Sequence, residues 1–530
     1  MSAELHHEEA WAPHNPWLIA VVATIATFME VLDTSVANVA LPHISGSLGV
    51  PVADSTWVLT SYLVSNAIVL PLSGWLSSLL GRTRFYLLCV ALFTVSSLLC
   101  GCAPNLESLV IFRFLQGLGG GGLQPSTQAI LVDTFPLSKR GMGMAVYGMT
   151  VVAAPVIGPT LGGWITDHAS WRWLFLINVP VGIISMLLAS RFISDPPHLV
   201  RRTGADRFRV DFLGLGLIAI AIGALQITLD LGERYDWLAS GFIRGMLFTS
   251  IAAAVLAIWW EFRTKDPIVN LRLLGDRNFA LGNLVMLAFG FVMFGSTVLL
   301  PLFTQTLLDY TATRSGEVLS PGALAIMVLM PLIGILVSRW DARWMVACGV
   351  FVISLSLAMM TRFNLEVDFT TVVIARLVQG IGLAFVFVPV NALAFATIER
   401  TQRNSASGLF SLSRNLGASI GISLVTTIIS QRTQTHQTML AAHLTTADPA
   451  YNETLRTITA GLATGQADVA HAGQQAQMVI ANMLDGQARM LAFLDLFGYL
   501  AGGILILVPM VLAMRRPPRA AGPAVPAEAH

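Results

Sequence analysis

The sequence predicts an all-α polytopic membrane protein with fourteen transmembrane helices: two related six-helix bundles with two extra helices between them. Three observations predict it. The 530 residues are 55% hydrophobic and only 12% charged, with mean hydropathy +0.70, whereas a soluble chain carries about 25% charged residues. Apolar runs near the ~20 residues that cross a bilayer recur fourteen times. The run RFLQGLG, with Arg113, Gln116, Gly117 and Gly119, returns 263 residues later as RLVQGIG, with Arg376, Gln379, Gly380 and Gly382.

In chain order the spans fall at 17–40, 57–80, 85–102, 107–132, 142–164, 172–193, 211–230, 243–261, 279–302, 318–338, 344–361, 370–397, 407–431 and 491–514. An even number places both ends of the chain on one side. Twenty of the 31 Lys and Arg lie in loops on that side, eight on the other and three within spans, so the positive-inside rule assigns both termini to the cytoplasm. A weaker repeat relates Gly74, Gly81, Arg82 and Arg84 to Gly334, Asp341 and Arg343, 260 residues on. The plan is a cytoplasmic segment 1–16, a first bundle 17–194, a linker 195–278 holding the two additional helices, a second bundle 279–514, and a cytoplasmic tail 515–530. Two related bundles around a midplane site are the architecture of rocking transporters.

Several function classes fall away. A net charge of +1 gives no electrostatic basis for nucleic-acid binding. The loop histidines His168, His436, His443 and His471 are scattered, and Cys89, Cys100, Cys102 and Cys348 show no metal spacing. The cysteines read as packing residues. No catalytic residue, metal or cofactor is therefore expected, and an enzyme is the weakest class. The first fifteen residues contain no Lys or Arg, so the first run reads as a retained span, not a signal peptide. The loop 432–490 is rich in Ala, Gln and Thr and reads as short amphipathic helices; the Pro/Ala-rich tail reads as unstructured.

Glu30 and Asp33 lie three residues apart in the first span, on one helix face. An intramembrane acid is costly and marks a proton or cation site by default, the alternative being an acid that braces a neighbouring helix. Arg113 cannot shed its proton, and either acid is a candidate partner. An arginine beside a carboxylate favours its ionised form, and withdrawing the arginine favours the protonated one. Arg376 with Gln379 is the twin, without an acid at the start of span nine. In span five Ala154, Gly158 and Gly162 recur every four residues beside Pro155, Pro159 and Gly163. That is a hinge or sliding face between bundles, or static packing. Gly74, Gly81, Arg82 and Arg84 form a basic loop that latches the bundles or only sets topology. Candidate cavity residues are Asn38, Asn66, Gln116, Gln124, Gln128, Asn283, Gln305, Arg376, Gln379, Asn391 and Arg414, among many Phe and Met. An apolar pocket with few polar anchors suits an amphipathic ligand. Arg414 either snorkels to the interface or meets an anionic group.

These motifs resemble the fourteen-span drug/proton antiporters of the major facilitator superfamily, EmrB/QacA type, and are most similar to the EmrB/FarB-like multidrug efflux pump subunits. The matches are LDTSVANVALP from Leu32, GWLSSLLGR from Gly74, RFLQGLGGG from Arg113, APVIGPTLGG from Ala154, WRWLFLINVPVG from Trp171 and LSRNLGASIG from Leu412. The resemblance implies alternating access and proton-driven export of amphipathic toxic compounds from the bacterial inner membrane, powered by the proton motive force. It implies coupling through Asp33 and Arg113. It also implies a periplasmic adaptor (membrane fusion protein) and an outer-membrane channel as partners, with the 432–490 loop as the contact. Export of an endogenous metabolite, siderophore or fatty acid is the alternative; a passive channel or solute-sensing receptor is the reading from another class. One departure stands out. Where the family's basic-loop motif carries an Asp, this chain has Ser78, and Ser338 in the second half, which takes that acid out of any latch.

Overall fold

The computed structural model describes residues 14–136, 139–195, 211–264, 267–399, 402–442, 444–445, 448–463 and 469–515. The expected N-terminal segment, the loop 196–210 and the tail beyond Arg515 fall wholly or largely outside them. The helices are α1 Pro16–Leu48, α2 Trp57–Leu80, α3 Arg82–Gly101, α4 Leu106–Gly120, α5 Leu123–Thr134, α6 Arg140–His168, α7 Asn178–Phe192, α8 Phe212–Leu231 and α9 Gly241–Arg263. They continue as α10 Arg277–Leu307, α11 Ala312–Leu336, α12 Ala342–Met360, α13 Phe369–Ala394, α14 Arg403–Ala441, α15 Pro449–Ala463, α16 Val469–Ile504 and α17 Leu507–Leu512.

Among the described residues, twelve helices are long and apolar enough to cross a membrane. The two remaining rods, α4 continued by α5 and the glycine-rich α6, are of crossing length and fit the fourteen-span plan. Large apolar side chains point outward: Phe212 and Phe248 are each 75% exposed and Val328 73%, a surface suited to lipid. Polar residues start the helices. Asn15, Asn105, Asp211, Asp276, Asp341 and Asp368 each accept a backbone N–H from the first turn of the helix that follows, satisfying donors that a helix leaves open.

Within the first half α1 packs on α6, and α4 on α2 and α3; within the second, α10 packs on α14, and α13 on α11 and α12. The glycine run of α4 permits its close approach. A Cβ on Gly117 would collide with the Ser65 hydroxyl and the Tyr62 carbonyl, and one on Gly119 would lie 2.6 Å from the Phe93 nitrogen. The face of Gly158 and Gly162 packs against Ser35 and Val36 of α1, inside its own half, and so does not form the expected sliding surface between bundles. Pro159 has no N–H for the carbonyl of residue 155. The Ser35 hydroxyl donates to that carbonyl instead, at 3.1 Å. Gly163 has open space around its Cβ position.

The halves meet through α2 with α14 and α6 with α11. Gly74 lies under Ser405, so close that a Cβ on Gly74 would stand 2.5 Å from the Ser405 Cα; Gly141 faces Gly334 in the same way, its Cβ position 2.5 Å from the Gly334 carbonyl oxygen. Beside them Arg82 pairs with Asp133 at 2.8 Å, and Asp133 pairs with Arg403 at 2.5 Å. One buried carboxylate thus ties the loop after α2 to the first turn of α14. Asn404 adds a bond to Ser77 at 3.0 Å. These contacts lie at the end of the bundle where both described chain ends emerge, so the halves are joined there. Gly81 turns the chain at φ 88°, a conformation that glycine adopts without strain. Among the described residues Ser78 bonds its own helix, at the Trp75 carbonyl; Asp133 supplies the acid. Arg84 is exposed.

Of the inserted pair, α8 lies on the α2/α14 seam, with Gln226 donating to Ser419 at 2.9 Å and Ser423 to the Leu229 carbonyl at 2.7 Å, and α9 packs on α8. The 432–490 region differs from expectation. It is mostly the continuation of α14 and α16, joined by α15, instead of separate short helices. At ~1.5 Å per residue α14 is ~58 Å long, roughly twice a ~30 Å hydrocarbon core, because its polar last third has no reason to stay in lipid. Cys89 and Cys100 are buried, but Cys102 and Cys348 are exposed, so only the first two are packing residues.

Two outcomes are expected. Gly117→Val should lower thermal stability by about 1–3 kcal/mol or prevent assembly, while Gly163→Ala should be silent, as read by thermal unfolding of the purified proteins. Asp133→Asn leaves two buried guanidinium groups short of their acid, a loss of about 3–5 kcal/mol. In a background without native cysteines, a cysteine at position 405 should then react with a thiol reagent several-fold faster; an unchanged rate would remove Asp133 from the closure.

Candidate functional site

Asp33 lies in the middle of α1, 4% exposed. Its Oδ2 accepts from Arg113 Nη1 at 2.5 Å; its Oδ1 accepts from Gln116 Nε2 at 3.1 Å and from Asn178 Nδ2 at 2.8 Å. Arg113 is fully buried. It also donates to the Val58 carbonyl at 3.0 Å and to Gln116 Oε1 at 2.9 Å. Four helices converge here: α1 brings the acid, α4 the Arg–Gln pair one turn apart, α2 the carbonyl, α7 the asparagine. The two charges pair directly and share several neutral hydrogen bonds, the condition under which a buried pair is tolerated, although Arg113 Nη2 has no hydrogen-bond partner among the described residues. Of the two acids, Asp33 and not Glu30 is the partner of Arg113.

Glu30, 3% exposed, has a site of its own. Oε1 accepts from the Tyr62 hydroxyl at 3.1 Å and Asn66 Nδ2 at 3.0 Å, and Oε2 from Gln124 Nε2 at 2.7 Å. Tyr62 connects the two acids. Its ring lies under the Arg113 guanidinium, 4.3 Å from the ring centre, while its hydroxyl donates to Glu30. Beyond Gln124 the network crosses between halves. Gln124 Oε1 accepts from Arg414, which also donates to the Tyr147 hydroxyl at 3.3 Å. One turn along, Gln128 donates to Asn391 Oδ1 at 2.5 Å. Arg414 therefore neither snorkels nor bonds an acid directly; it is 3% exposed and held by neutral acceptors at the junction.

The remaining candidates are placed as follows. Arg376 and Gln379 are buried together in α13, and Asn283 accepts from Ser413 at 2.8 Å within the second half. Asn38 and Gln305 are exposed and stand outside the buried network. Sequence reasoning missed Tyr62, Asn178, Asp133 and Arg403. Asn178 is visible as a polar residue inside an apolar run, and Asp133 lies one position past the expected end of span four. Tyr62 carries no signal, since a tyrosine in a membrane helix is ordinary. Among the described residues, no group of His, Cys, Asp and Glu is placed to hold a metal ion.

The family model for the Major Facilitator Superfamily matches residues 23–360 and 285–442. The chain is similar to the fatty acid resistance protein FarB of Neisseria gonorrhoeae, 37% identical over 497 residues, or 93% of this chain and 95% of that one. It is 33% identical to the multidrug export protein EmrB of Escherichia coli K12 over 506 residues, 95% of this chain and 96% of that one. Among solved structures, the human organic anion transporter MFSD10 superposes with a TM-score of 0.61 at 13% identity, over 94% of this chain and 100% of that one. The proton:xylose symporter XylE superposes at 0.56 and 14% identity, over 78% and 89%. The last two show a shared fold alone. With the repeated bundles, the buried network between them and these relatives, the chain is a multi-span membrane transporter belonging to the major facilitator superfamily, of the EmrB/FarB type.

Proposed function

We propose that the protein is a proton-coupled antiporter that exports hydrophobic and amphipathic toxic compounds. The observation that carries this reading is the Asp33–Arg113 pair, buried at 2.5 Å in the middle of a membrane helix. A charge at that depth costs at least ~2.5 kcal/mol even on lenient scales, and folding in lipid does not require it. When a rearrangement inside the first half, coupled to its tilt against the second, withdraws the α4 guanidinium from α1, the carboxylate loses its counter-charge in a dry site. A proton is the smallest partner that replaces it. Return of Arg113 then expels that proton on the other side. Tyr62 touches both Arg113 and Glu30, and Glu30 reaches the second half through Gln124 and Arg414. Protonation in one bundle is thereby linked to the contact with the other.

The direction and the cargo follow the relatives, whose names describe multidrug export and fatty acid resistance. Fatty acids are accordingly the favoured second cargo, and an endogenous metabolite or siderophore on the same scaffold is the broader alternative. We place the protein in the bacterial inner membrane with both termini cytoplasmic, as the Lys/Arg bias directs. In this setting the Arg82–Asp133–Arg403 end is the cytoplasmic gate. The projecting parts of α14 and α16 with α15 then face the periplasm, where they are the surface for an adaptor protein leading to an outer-membrane channel.

Asp33→Asn should abolish active efflux from proteoliposomes, with at least a tenfold loss of pH-gradient-driven transport, and leave substrate binding largely intact. Wild-type efflux in that variant, or transport indifferent to a pH gradient in the native protein, would favour a passive channel. Replacing 440–485 by a short linker should spare insertion and weaken cross-linking to a co-expressed adaptor; undiminished cross-linking would leave the hairpin without that role.

A further inference from the structure

The 263-residue interval that separates Arg113 from Arg376 also separates Gln116 from Gln379 and Asp33 from Ser296. The fold respects this register. Arg113 meets Asp33 on α1, the first helix of its half, and Arg376 meets Ser296 and Thr297 on α10, the first helix of the other. Arg376 Nη1 lies 3.5 Å from Ser296 Oγ, its Nη2 lies 3.3 Å from Thr297 Oγ1, and Nη1 also donates to Gln379 Oε1. All three acceptors are neutral. The two hydroxyl hydrogens are spent on the Met293 carbonyl, at 3.1 and 2.7 Å, so only their lone pairs face the guanidinium.

The second half thus has the donors without the acid. Arg376 is 3% exposed and Gln379 fully buried. Among the described residues no carboxylate lies within salt-bridge distance of Arg376. Among the described residues its Nε and the Gln379 Nε2 have no hydrogen-bond partner; Arg113 Nη2 also lacks one, but there Asp33 neutralises the cation. In the first half the corresponding side chains share one carboxylate: Arg113 and Gln116 both donate to Asp33. A guanidinium cannot neutralise itself by losing a proton, and an uncompensated buried cation is strongly unfavourable. Gly322 of α11 packs closely against this residue: a Cβ on it would stand 2.8 Å from the Arg376 carbonyl oxygen and 3.2 Å from Nε.

We infer that Arg376 and Gln379, beside Ser296 and Thr297, supply the donors of a binding site for a small monovalent anion, the chemistry common to chloride and a carboxylate head group. The anion takes the place that Asp33 holds in the first half. The site balances the charge of α13 from outside the chain, which goes beyond the export reading and does not depend on it.

The test uses full-length protein in detergent and reads Tm from tryptophan fluorescence. Chloride, acetate or octanoate replaces sulfate at constant ionic strength. A saturable rise in Tm is expected, against the general stabilising trend of sulfate. A rise with chloride and acetate identifies a resident counter-ion; a rise with octanoate alone identifies a substrate head group. No saturable response in any arm overturns the proposal. Ser296→Asp rebuilds the first-half arrangement, and should raise Tm without added anion and abolish the response. A response equal to that of the native protein places the anion elsewhere and also overturns it. Gln379→Met, which removes one donor at similar volume, should weaken the apparent anion affinity about tenfold; if Ser296→Asp does not fold, this variant decides, and an unchanged affinity counts against the site.

Discussion

The buried pairing of Asp33 with Arg113 is the constraint around which the first half is arranged. A carboxylate and a guanidinium in a membrane interior are costly unless they pair and most of their lone pairs and N–H groups are answered. Meeting that need draws in Gln116 from α4, Asn178 from α7 and the Val58 carbonyl from α2. The glycine run of α4 is the steric counterpart. Without Gly117 and Gly119, α4 could not come close enough to α2 and α3 to set Arg113 opposite α1. Charge and small residues are therefore two sides of one requirement.

The same logic extends across the molecule in graded form. Glu30 answers its charge with neutral donors and passes the network to the second half through Gln124 and Arg414. Asp133 answers two arginines, one from each half. Among the described residues Arg376 has no acid and leans on hydroxyls and an amide. These sites differ in how completely the chain itself compensates them, and so in how much each can respond to a proton, to an ion or to movement of the halves.

Much of this is legible in the residues alone. Hydropathy finds all twelve of the helices that are long and apolar enough to cross, among the described residues, because lipid imposes a length on every apolar run. The internal repeat marks the two halves, and intramembrane charge singles out Asp33, Glu30 and Arg113. Other readings fail for physical reasons. Periodicity marks a smooth face on α6 but not its partner, which is α1. The absence of an acid at Ser78 takes that position out of a latch but does not show that Asp133 supplies the acid from another helix. The polar composition of 432–490 suggests a loop with short helices, although long helices continue through it once they leave the bilayer.

The amino-acid sequence alone determined that this chain crosses a membrane many times, in two related halves, and keeps ionisable groups at depths where lipid penalises them. These follow from transfer free energies, which act residue by residue and need no knowledge of neighbours. Which acid meets which arginine, that Tyr62 links the two acids, that Asp133 joins the halves and that Arg376 lies among neutral groups were decided only by the tertiary structure. Hydrogen bonds and ion pairs act over a few ångströms between helices far apart in the chain, and helix packing sets those distances.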